Sequence, residues 1–447
     1  MSCLVASACD APARREPPHV LLVTIDTLRA DHLSAYGYER KTSPNLDRLA
    51  AEGALFEVAY APVPTTAPSH ATLLTGRYPL GHGVLRNGIP LGAEPPTLPE
   101  LLAARGYRTA AFVSSFPVSA EFGFARGFAH FDDRFEEGRG SMKRREWNQR
   151  TVESAFDRLG ADTVDRAIAW WSEQDDAAPR FVWVHLFDPH APYRAPEPYG
   201  SAFSDPARRG RHDRRMDAYD GEILYADAQL GRLVDAFARA AGSRGLFTIV
   251  TADHGEAFGE HGMFGHNHTV FEEEVRVPLV LHWRGVLAPG VRVASAAHLV
   301  DVLPTVAAAT GLDLARSRGV LAGIDLLAVV ADGAGDEQRA VFLQRPFFED
   351  RKRARRRGML GFGFGVRRGD WKYIEALEQG QRKLFDLASD PGERTDLAAR
   401  EAERVSELSA AIASWREHET ANAVAVQPPP LRSKEVRRKL RALGYVE

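Results

Sequence analysis

The sequence predicts an α/β fold: a large, mostly parallel sheet sandwiched by helices, followed by a small C-terminal antiparallel β subdomain. Three observations predict it. From His19 onward, apolar runs of strand length alternate with amphipathic helical stretches, the order that a sheet covered by helices on both faces requires. Three of those runs stop at an acid, at Asp26, Asp188 and Asp253, as buried parallel strands do at a functional edge. Near residue 335 the alternation gives way to short strand-and-turn segments.

Taken in order, "HVLLVTID" reads as a buried strand ending at Asp26. "TSPNLDRLAAEG" reads as a helix with Ser43 as N-cap, Pro44 at the first helical position and Gly53 as the stop. "TLPELLAARG" and "YRTAAFVSS" repeat helix then strand, and "RFVWVHLFDPH" and "LFTIVTADHG" are two more strands, each ending in Asp and His. Between them, Met216 to Ala240 fits one amphipathic helix, with Tyr219, Ile223, Ala226, Leu230, Leu233 and Phe237 on its apolar face. "RVPLVLHW" is a further strand and "LVDVLPTVAAATG" a helix. Beyond them, "VFLQR", "FGFGVRRGDWKYIEA" and "KLFDLASDPGE" read as antiparallel strands and turns, and Asp396 to Trp415 as a charged helix. The expected division is a tail over 1–18, a main α/β unit over 19–335, an antiparallel subdomain over 336–400 and a helical tail over 401–447.

The 447 residues, 44% of them apolar, are enough for one large core and a smaller appendage. A net charge of −3 gives no reason to expect nucleic-acid binding, and no apolar stretch is long enough to span a bilayer. Both cysteines, Cys3 and Cys9, lie in the first ten residues, so the body has no thiolate metal site and no internal disulfide framework. "LVASAC" resembles the end of a bacterial lipoprotein signal, although the residues before Cys9 lack a basic head and an adequate apolar stretch. Two readings stand: a lipid on Cys9 attaches the protein to a membrane in the periplasm or cell envelope, or the tail is uninformative and a cytoplasmic location stays open. Pro12, Pro17 and Pro18 read as a linker.

Strand ends share one edge of an open α/β sheet, so residues more than 200 positions apart meet there. Asp26, Asp253 and His254 supply two carboxylates and an imidazole, a plausible ligand set for one divalent cation. Thr66 completes it, because a cation lowers the pKa of a coordinated hydroxyl. A helix beginning at Pro68 would aim free N–H groups at the same place and favour negative charge. For each of these residues the plainer alternative is a helix cap.

Here the chain resembles the sulfatase family of the alkaline phosphatase superfamily, across residues 18–400. "VTIDTLRADHLSAYGY" is similar to the family's first metal loop, and "TAPSHATLLTGRYP" to its signature. "HLFDPHAPY", "TADHGEAFGEHG" and "EEEVRVPLVLHW" follow in the family's order. The resemblance implies an alkaline-phosphatase-like fold with a large mixed sheet, a smaller antiparallel one, and a catalytic domain over 19–335. It also implies a Cys or Ser that becomes formylglycine, and here Thr66 stands in that place. The same oxidation of threonine would give a ketone, so the chain looks like a Thr-nucleophile variant related to phosphodiesterases and phosphonate monoester hydrolases, in which Thr66 attacks phosphorus.

Other departures point the same way. The signature Arg is His70, the second metal Asp is Thr27, and the Asn after the third metal Asp is His254. Fewer carboxylates and more imidazole favour Mn²⁺ or Zn²⁺ over Ca²⁺ or Mg²⁺, which stay open. The expected roles are Thr66, His190, His266 and His268 in catalysis; His70, Arg77, His82 and Asp188 in substrate binding; and Asp26, Thr66, Asp253 and His254 as metal ligands. His190 resembles a position that touches the transferring group, against a packed structural histidine. His266 or His268 stands where the family has a Lys, and suits leaving-group protonation. His185 reads as a core residue, and a second metal on Asp188, His190 and His266 or His268 is left open. "RKRARRR", Arg351 to Arg357, is a solvated loop or an attractor of anions. The expected function is hydrolysis of a small-molecule or polymeric phosphate mono- or diester. Sulfate ester hydrolysis is the alternative, with a phospho-headgroup transferase or a non-catalytic binding homologue behind it.

Overall fold

The computed structural model describes residues 16–135, 145–147, 150–152, 157–175, 177–205, 210–314, 321–333, 335–348, 361–376 and 380–425. The Cys9 anchor, the Arg351–Arg357 run and the closing segment from Ser433 lie outside the described residues. Eight strands form the main sheet: β1 (His19–Ile25), β2 (Ala54–Phe56), β3 (Arg108–Val113), β4 (His130–Asp132), β5 (Arg180–Leu186), β6 (Leu246–Ala252), β7 (Leu279–Trp283) and β8 (Val291–Val293). Their order across the sheet is β8-β2-β7-β6-β1-β5-β3-β4. β1 lies between β5 and β6 and is parallel to both; only β7 runs against its neighbours. All seven residues of β1, β5 and β6 are buried, which is why these segments read as unbroken apolar runs. The short strands β2, β4 and β8 sit toward the sheet's two flanks and carry too few residues to show a period.

Helices follow local signals, with two exceptions of detail. α1 (Pro44–Glu52) has Pro in its first turn and Gly53 after its last, as expected. Its cap is different: the Ser43 hydroxyl donates to Asp47, while the first N–H groups, of Asn45 and Leu46, donate to Asp227 at 2.9 and 2.8 Å. α2 (Thr66–Thr75) is buried along its whole length. α3 (Gly160–Ser172) precedes β5, and α4 (Arg211–Arg239) joins the two halves of the sheet. α4 buries the six apolar residues named above and begins earlier than its apolar stripe. Just after that added start, Asp217 and Asp220 pair with Arg40 at 2.8 and 2.7 Å and fasten the helix to the body.

The C-terminal strands β9 (Val341–Phe348), β10 (Gly361–Arg368), β11 (Trp371–Ala376) and β12 (Gln381–Asp386) form an antiparallel sheet in sequential order. α5 (Ala402–Ala421) packs Val405, Leu408, Ile412 and Trp415 against Phe364, Val366, Tyr373 and Leu384. Where this sheet meets the main body, the buried Lys372 places Nζ 2.8 Å from Glu272 Oε1 and 3.1 Å from Glu393 Oε1. Among the described residues no helix is long and apolar enough to cross a membrane.

Candidate active site

Asp26 follows β1 and Asp253 follows β6, and the two strands run side by side in register from His19 with Leu246 to Ile25 with Ala252. That pairing carries both carboxylates to the same edge. Asp26, Asp253 and His254 are fully buried and offer ligand atoms within 4.8 Å of one another. His254 Nε2 lies 3.8 Å from Asp26 Oδ1 and 3.5 Å from Asp253 Oδ2. Its Nδ1, 2.9 Å from the Gly255 carbonyl, is the donor there, so Nε2 turns a lone pair to the carboxylates. Thr66 opens α2 with Oγ1 3.4 Å from that nitrogen and is 1% exposed. The four residues meet.

Neither oxygen of Asp26 has a hydrogen-bond partner, nor has Asp253 Oδ2 or Thr27 Oγ1. Buried carboxylates normally hold two or more partners, and an unpaired one costs several kcal/mol, on the order of a lost charge-assisted bond or more. Burial, with Asp253 and Glu256 nearby, raises Asp26 well above the usual carboxylate range. Burial likewise pushes Asp253 up to about 6 and Glu256 up to about 7, and pushes His254 down to about 4. Arg29, which passes close by, is committed elsewhere: its guanidinium holds Asp31 and Glu260, each at 2.7 Å, and the Glu256 carbonyl. Two carboxylates, an imidazole and a neutral hydroxyl with open lone pairs fit a divalent cation. Thr27 stands at φ 56°, a costly conformation for a β-branched residue, and its N–H donates to Asp253 Oδ1 at 3.2 Å.

Behind the cluster lies a buried relay that fixes tautomers. His70 Nδ1 is 2.8 Å from the Thr66 carbonyl, which only accepts, so Nδ1 carries the proton. Thr24 Oγ1 is reached by Trp183 Nε1 and His70 Nε2, each at 3.0 Å, and by His185 Nδ1 at 3.3 Å. Burial lowers His70, and burial lowers His185 well below the imidazole range, so both are neutral. Trp183 can only donate, and the single Thr24 proton goes to His70 Nε2. His185 Nδ1 then donates to Thr24, and His185 Nε2 accepts from Ser115 Oγ at 3.0 Å.

On the other side, His190 Nδ1 donates to the Ala191 carbonyl at 2.7 Å, leaving Nε2 facing His266 Nε2 at 3.1 Å. The His266 ring lies 4.4 Å from that of His254, centroid to centroid, and burial lowers its pKa strongly, helped by His254 and His190. Thr65 Oγ1 donates to Asn267 Oδ1 at 2.5 Å, tying the loop that carries His266 to the start of α2.

Several expectations are corrected. His70 does not face a substrate, since both ring nitrogens are engaged within the protein. Arg77 and His82 lie past the far end of α2, a ten-residue helix about 15 Å long. Arg77 donates to the Asn422 carbonyl and stands beside Glu419. His82 accepts from the Val84 N–H and donates to Thr72 Oγ1, each at 3.1 Å. Asp188 Oδ2 accepts the Gly160 N–H at 2.8 Å and so caps α3. His268 is tied to Glu274, whose carboxylate accepts its backbone N–H at 2.9 Å and lies 3.9 Å from its ring Nδ1. Among the described residues, Asp26, Asp253 and His254 are the one group of three candidate ligands within 4.8 Å, so the second set on Asp188 is not assembled. Nor does α2 offer a row of free donors: Pro68 has none, Ala67 N–H goes to Asn87 Oδ1 and Ser69 N–H to the Thr65 carbonyl.

Sequence reasoning passed over Asn87, Thr24, Ser115 and Glu256, and gave His185 a core role. Asn87 is buried, with Oδ1 held 2.7 Å from Ala67 N while Nδ2 has no partner. In the sequence it is the Asn of an Asn-Gly turn, which offers no hint of this. Glu256 sits two residues after His254, and its placement was the one legible signal.

A family model described as Sulfatase matches residues 18–312, and one described as N-sulphoglucosamine sulphohydrolase, C-terminal, matches residues 259–417. The chain is 28% identical to Arylsulfatase A of Homo sapiens, covering 89% of this chain and 86% of that one. It is 30% identical to Arylsulfatase A of Bos taurus, covering 86% and 84%. The phosphonate monoester hydrolase of Agrobacterium radiobacter superimposes with a TM-score of 0.73 at 24% identity, over 90% of this chain and 96% of that one, a likeness of fold.

Proposed function

The chain belongs to the sulfatase family, hydrolases acting on ester bonds, and from that membership we propose that it cleaves phosphate mono- or diesters with the Thr66 hydroxyl as nucleophile. The observation that carries this reading is Thr66 Oγ1 itself, buried 3.4 Å from His254 Nε2 beside carboxylate oxygens that lack partners. A threonine there keeps its alcohol, because its β-carbon cannot become an aldehyde. An alcohol attacking phosphorus gives a phosphothreonine that water can open.

Asp26, Asp253 and His254 would hold the cation, Mn²⁺ or Zn²⁺ by donor type, with Thr66 and Thr27 as neutral oxygens at its side. When bound, such a cation lowers the pKa of a nearby hydroxyl and offsets charge on the reacting group. Thr66 Oγ1 forms the new bond to phosphorus as the bond to the leaving oxygen breaks. The Thr66 hydroxyl gives up its proton as it bonds to phosphorus, and the His190–His266 pair, two facing nitrogens at 3.1 Å, relays that proton to the leaving oxygen and ends as neutral as it began. Asn87 Nδ2, an unpaired buried donor next to the nucleophile, bonds a non-bridging oxygen. The relay through Thr24 and His70 holds the Thr66 backbone while this happens.

A second reading, sulfate ester hydrolysis, is favoured by the two Arylsulfatase A relatives. Protein loaded with Mn²⁺ or Zn²⁺ and given aryl phosphate, aryl phosphodiester and aryl sulfate decides between them. The expected result is faster turnover of the phosphorus esters, a labelled phosphoryl group trapped on residue 66, and a loss of about 10³-fold or more in kcat/KM for Thr66→Ala. Undiminished activity in Thr66→Ala would overturn the assignment, and faster aryl sulfate turnover would favour the second reading.

A further inference from the structure

The loop over 259–271 brings His266 to the site, and one residue near its start, His261, is held in an unusual way. His261 sits at φ 49°, in the left-handed region that a non-glycine residue keeps only when its surroundings impose it. Those surroundings are specific. The ring stacks on Phe271, centroids 3.7 Å apart and planes 9° from parallel. Nδ1 lies 2.8 Å from Glu273 Oε1, and Nε2 lies 3.0 Å from the Glu393 carbonyl. A carboxylate and a carbonyl only accept, so both nitrogens donate and the ring is an imidazolium. Burial opposes that charge, but Glu273 and Glu393 outweigh it and raise the pKa.

The two partners belong to different parts of the molecule. Glu393 follows β12 in the C-terminal subdomain. Glu273 belongs to the helical turn Glu272–Val275, against which both site loops rest. Gly255 donates its N–H to the Glu274 carbonyl at 2.9 Å. It packs so closely there that an added Cβ would stand 2.2 Å from the Glu273 carbonyl oxygen. The Glu274 carboxylate accepts the His268 N–H at 2.9 Å and the Thr269 hydroxyl at 3.0 Å, and Glu393 Oε2 accepts the Glu272 N–H at 2.6 Å.

We propose that His261 is a positioning residue: as an imidazolium it clasps the loop bearing His266 to the C-terminal subdomain, and loss of its second proton loosens that loop. The charged groups around it are Glu273, Glu393 with its partner Lys372, Glu272 on the same lysine, Glu260 paired with Arg29, and Lys383 over the Phe271 ring. Because the folded pKa is raised, the clasp contributes fully below the ordinary imidazole value of 6.5. It is lost as pH rises through the folded value. The clasp does not depend on which ester is cleaved.

The test is amide hydrogen exchange over 259–271 in the full chain, corrected for intrinsic rate, from about pH 6 to about pH 9 across the histidine range. Wild type should lose protection as pH rises, by roughly tenfold for each unit by which the pKa is raised. His261→Arg, with a permanent charge, should stay protected throughout, and His261→Phe should be unprotected throughout. Should His261→Phe keep the pH dependence of wild type, or His261→Arg lose protection in step with wild type, the clasp is wrong. A proton NMR titration of the wild-type ring reads the same point without a variant: a ring that is neutral at about pH 6 overturns the proposal.

Discussion

Thr24 has one proton to give and two lone pairs to offer, and three ring nitrogens claim all of them. That saturation leaves His70 a single tautomer and ties the Thr66 carbonyl to a strand in the middle of the sheet. Asp26, by contrast, has no hydrogen-bond partner at either oxygen. The contrast makes a prediction about one side chain. Mn²⁺ or Zn²⁺ should raise the melting temperature of wild type, by roughly RT ln(1 + [L]/Kd) in free energy. Asp26→Asn should abolish that rise yet melt no lower than wild type in chelator, because the substitution removes a buried charge. Calorimetry with and without cation reads both arms; an Asp26→Asn protein that still gains from the metal would exclude Asp26 as a ligand. At this scale the sequence showed residue types well and directions poorly. The cluster of Asp26, Asp253, His254 and Thr66 was legible because each follows a clear strand or opens a clear helix. The misreadings at His70 and Asp188 came from side chains whose partners lie in distant segments.

α2 shows how an element separates neighbours in a motif. Thr66 and Arg77 are eleven positions apart in one signature, and helical rise sends them to opposite ends. One end meets the cluster of Asp26, Asp253 and His254, and the other meets α5. α3 depends on a similar long-range partner. Its N-cap residue, Leu159, supplies no side-chain bond, and Asp188 from the segment after β5 accepts the Gly160 N–H instead. Asp188→Ala should therefore cost about 1 kcal/mol of stability, as loss of a capping carboxylate does, and leave KM for the ester unchanged. Urea unfolding and steady-state kinetics check it, and a large rise in KM with intact stability would return Asp188 to the substrate. α1, α2, α4 and α5 were legible from period and punctuation, whereas α3 was passed over even at thirteen residues. β2, β4 and β8, three residues each, were not legible, because a three-residue strand has no period to read.

At the scale of the whole molecule, the two sheets are joined by charge as well as apolar area. Lys372 is fully buried between Glu272 and Glu393. Burial raises Glu272, but Lys372, Arg276 and Arg367 outweigh it and lower its pKa. Burial pushes Glu393 up to about 7 even with the lysine there. Lys372→Met removes the cation that sits between the two acids and should destabilise the fold by about 3–5 kcal/mol at neutral pH. The sign with pH follows from the loss of Lys372, the cation that holds Glu272 down and restrains Glu393: without it both carboxyls move up. Their protonated forms suit the folded state, so the deficit should shrink as pH falls toward the ordinary carboxylate range. Thermal melts of both proteins from neutral to mildly acidic pH test this; a deficit independent of pH would contradict it. The architecture was readable from alternating patterns, whereas this junction was not, because Lys372 sits in a strand that looks amphipathic on its own.

The in-register pairing of β1 with β6 also has a consequence for biosynthesis. Asp26 and Asp253 are 227 positions apart, yet they belong to one cluster of candidate ligands. A growing chain that has released β1 from the ribosome must wait for more than two hundred further residues before the second carboxylate exists. On the reading that Asp26 and Asp253 both hold the cation, no early fragment can capture it, and loading has to follow completion of the central sheet. Shortage of metal during translation should then be repairable afterwards, in protein already made.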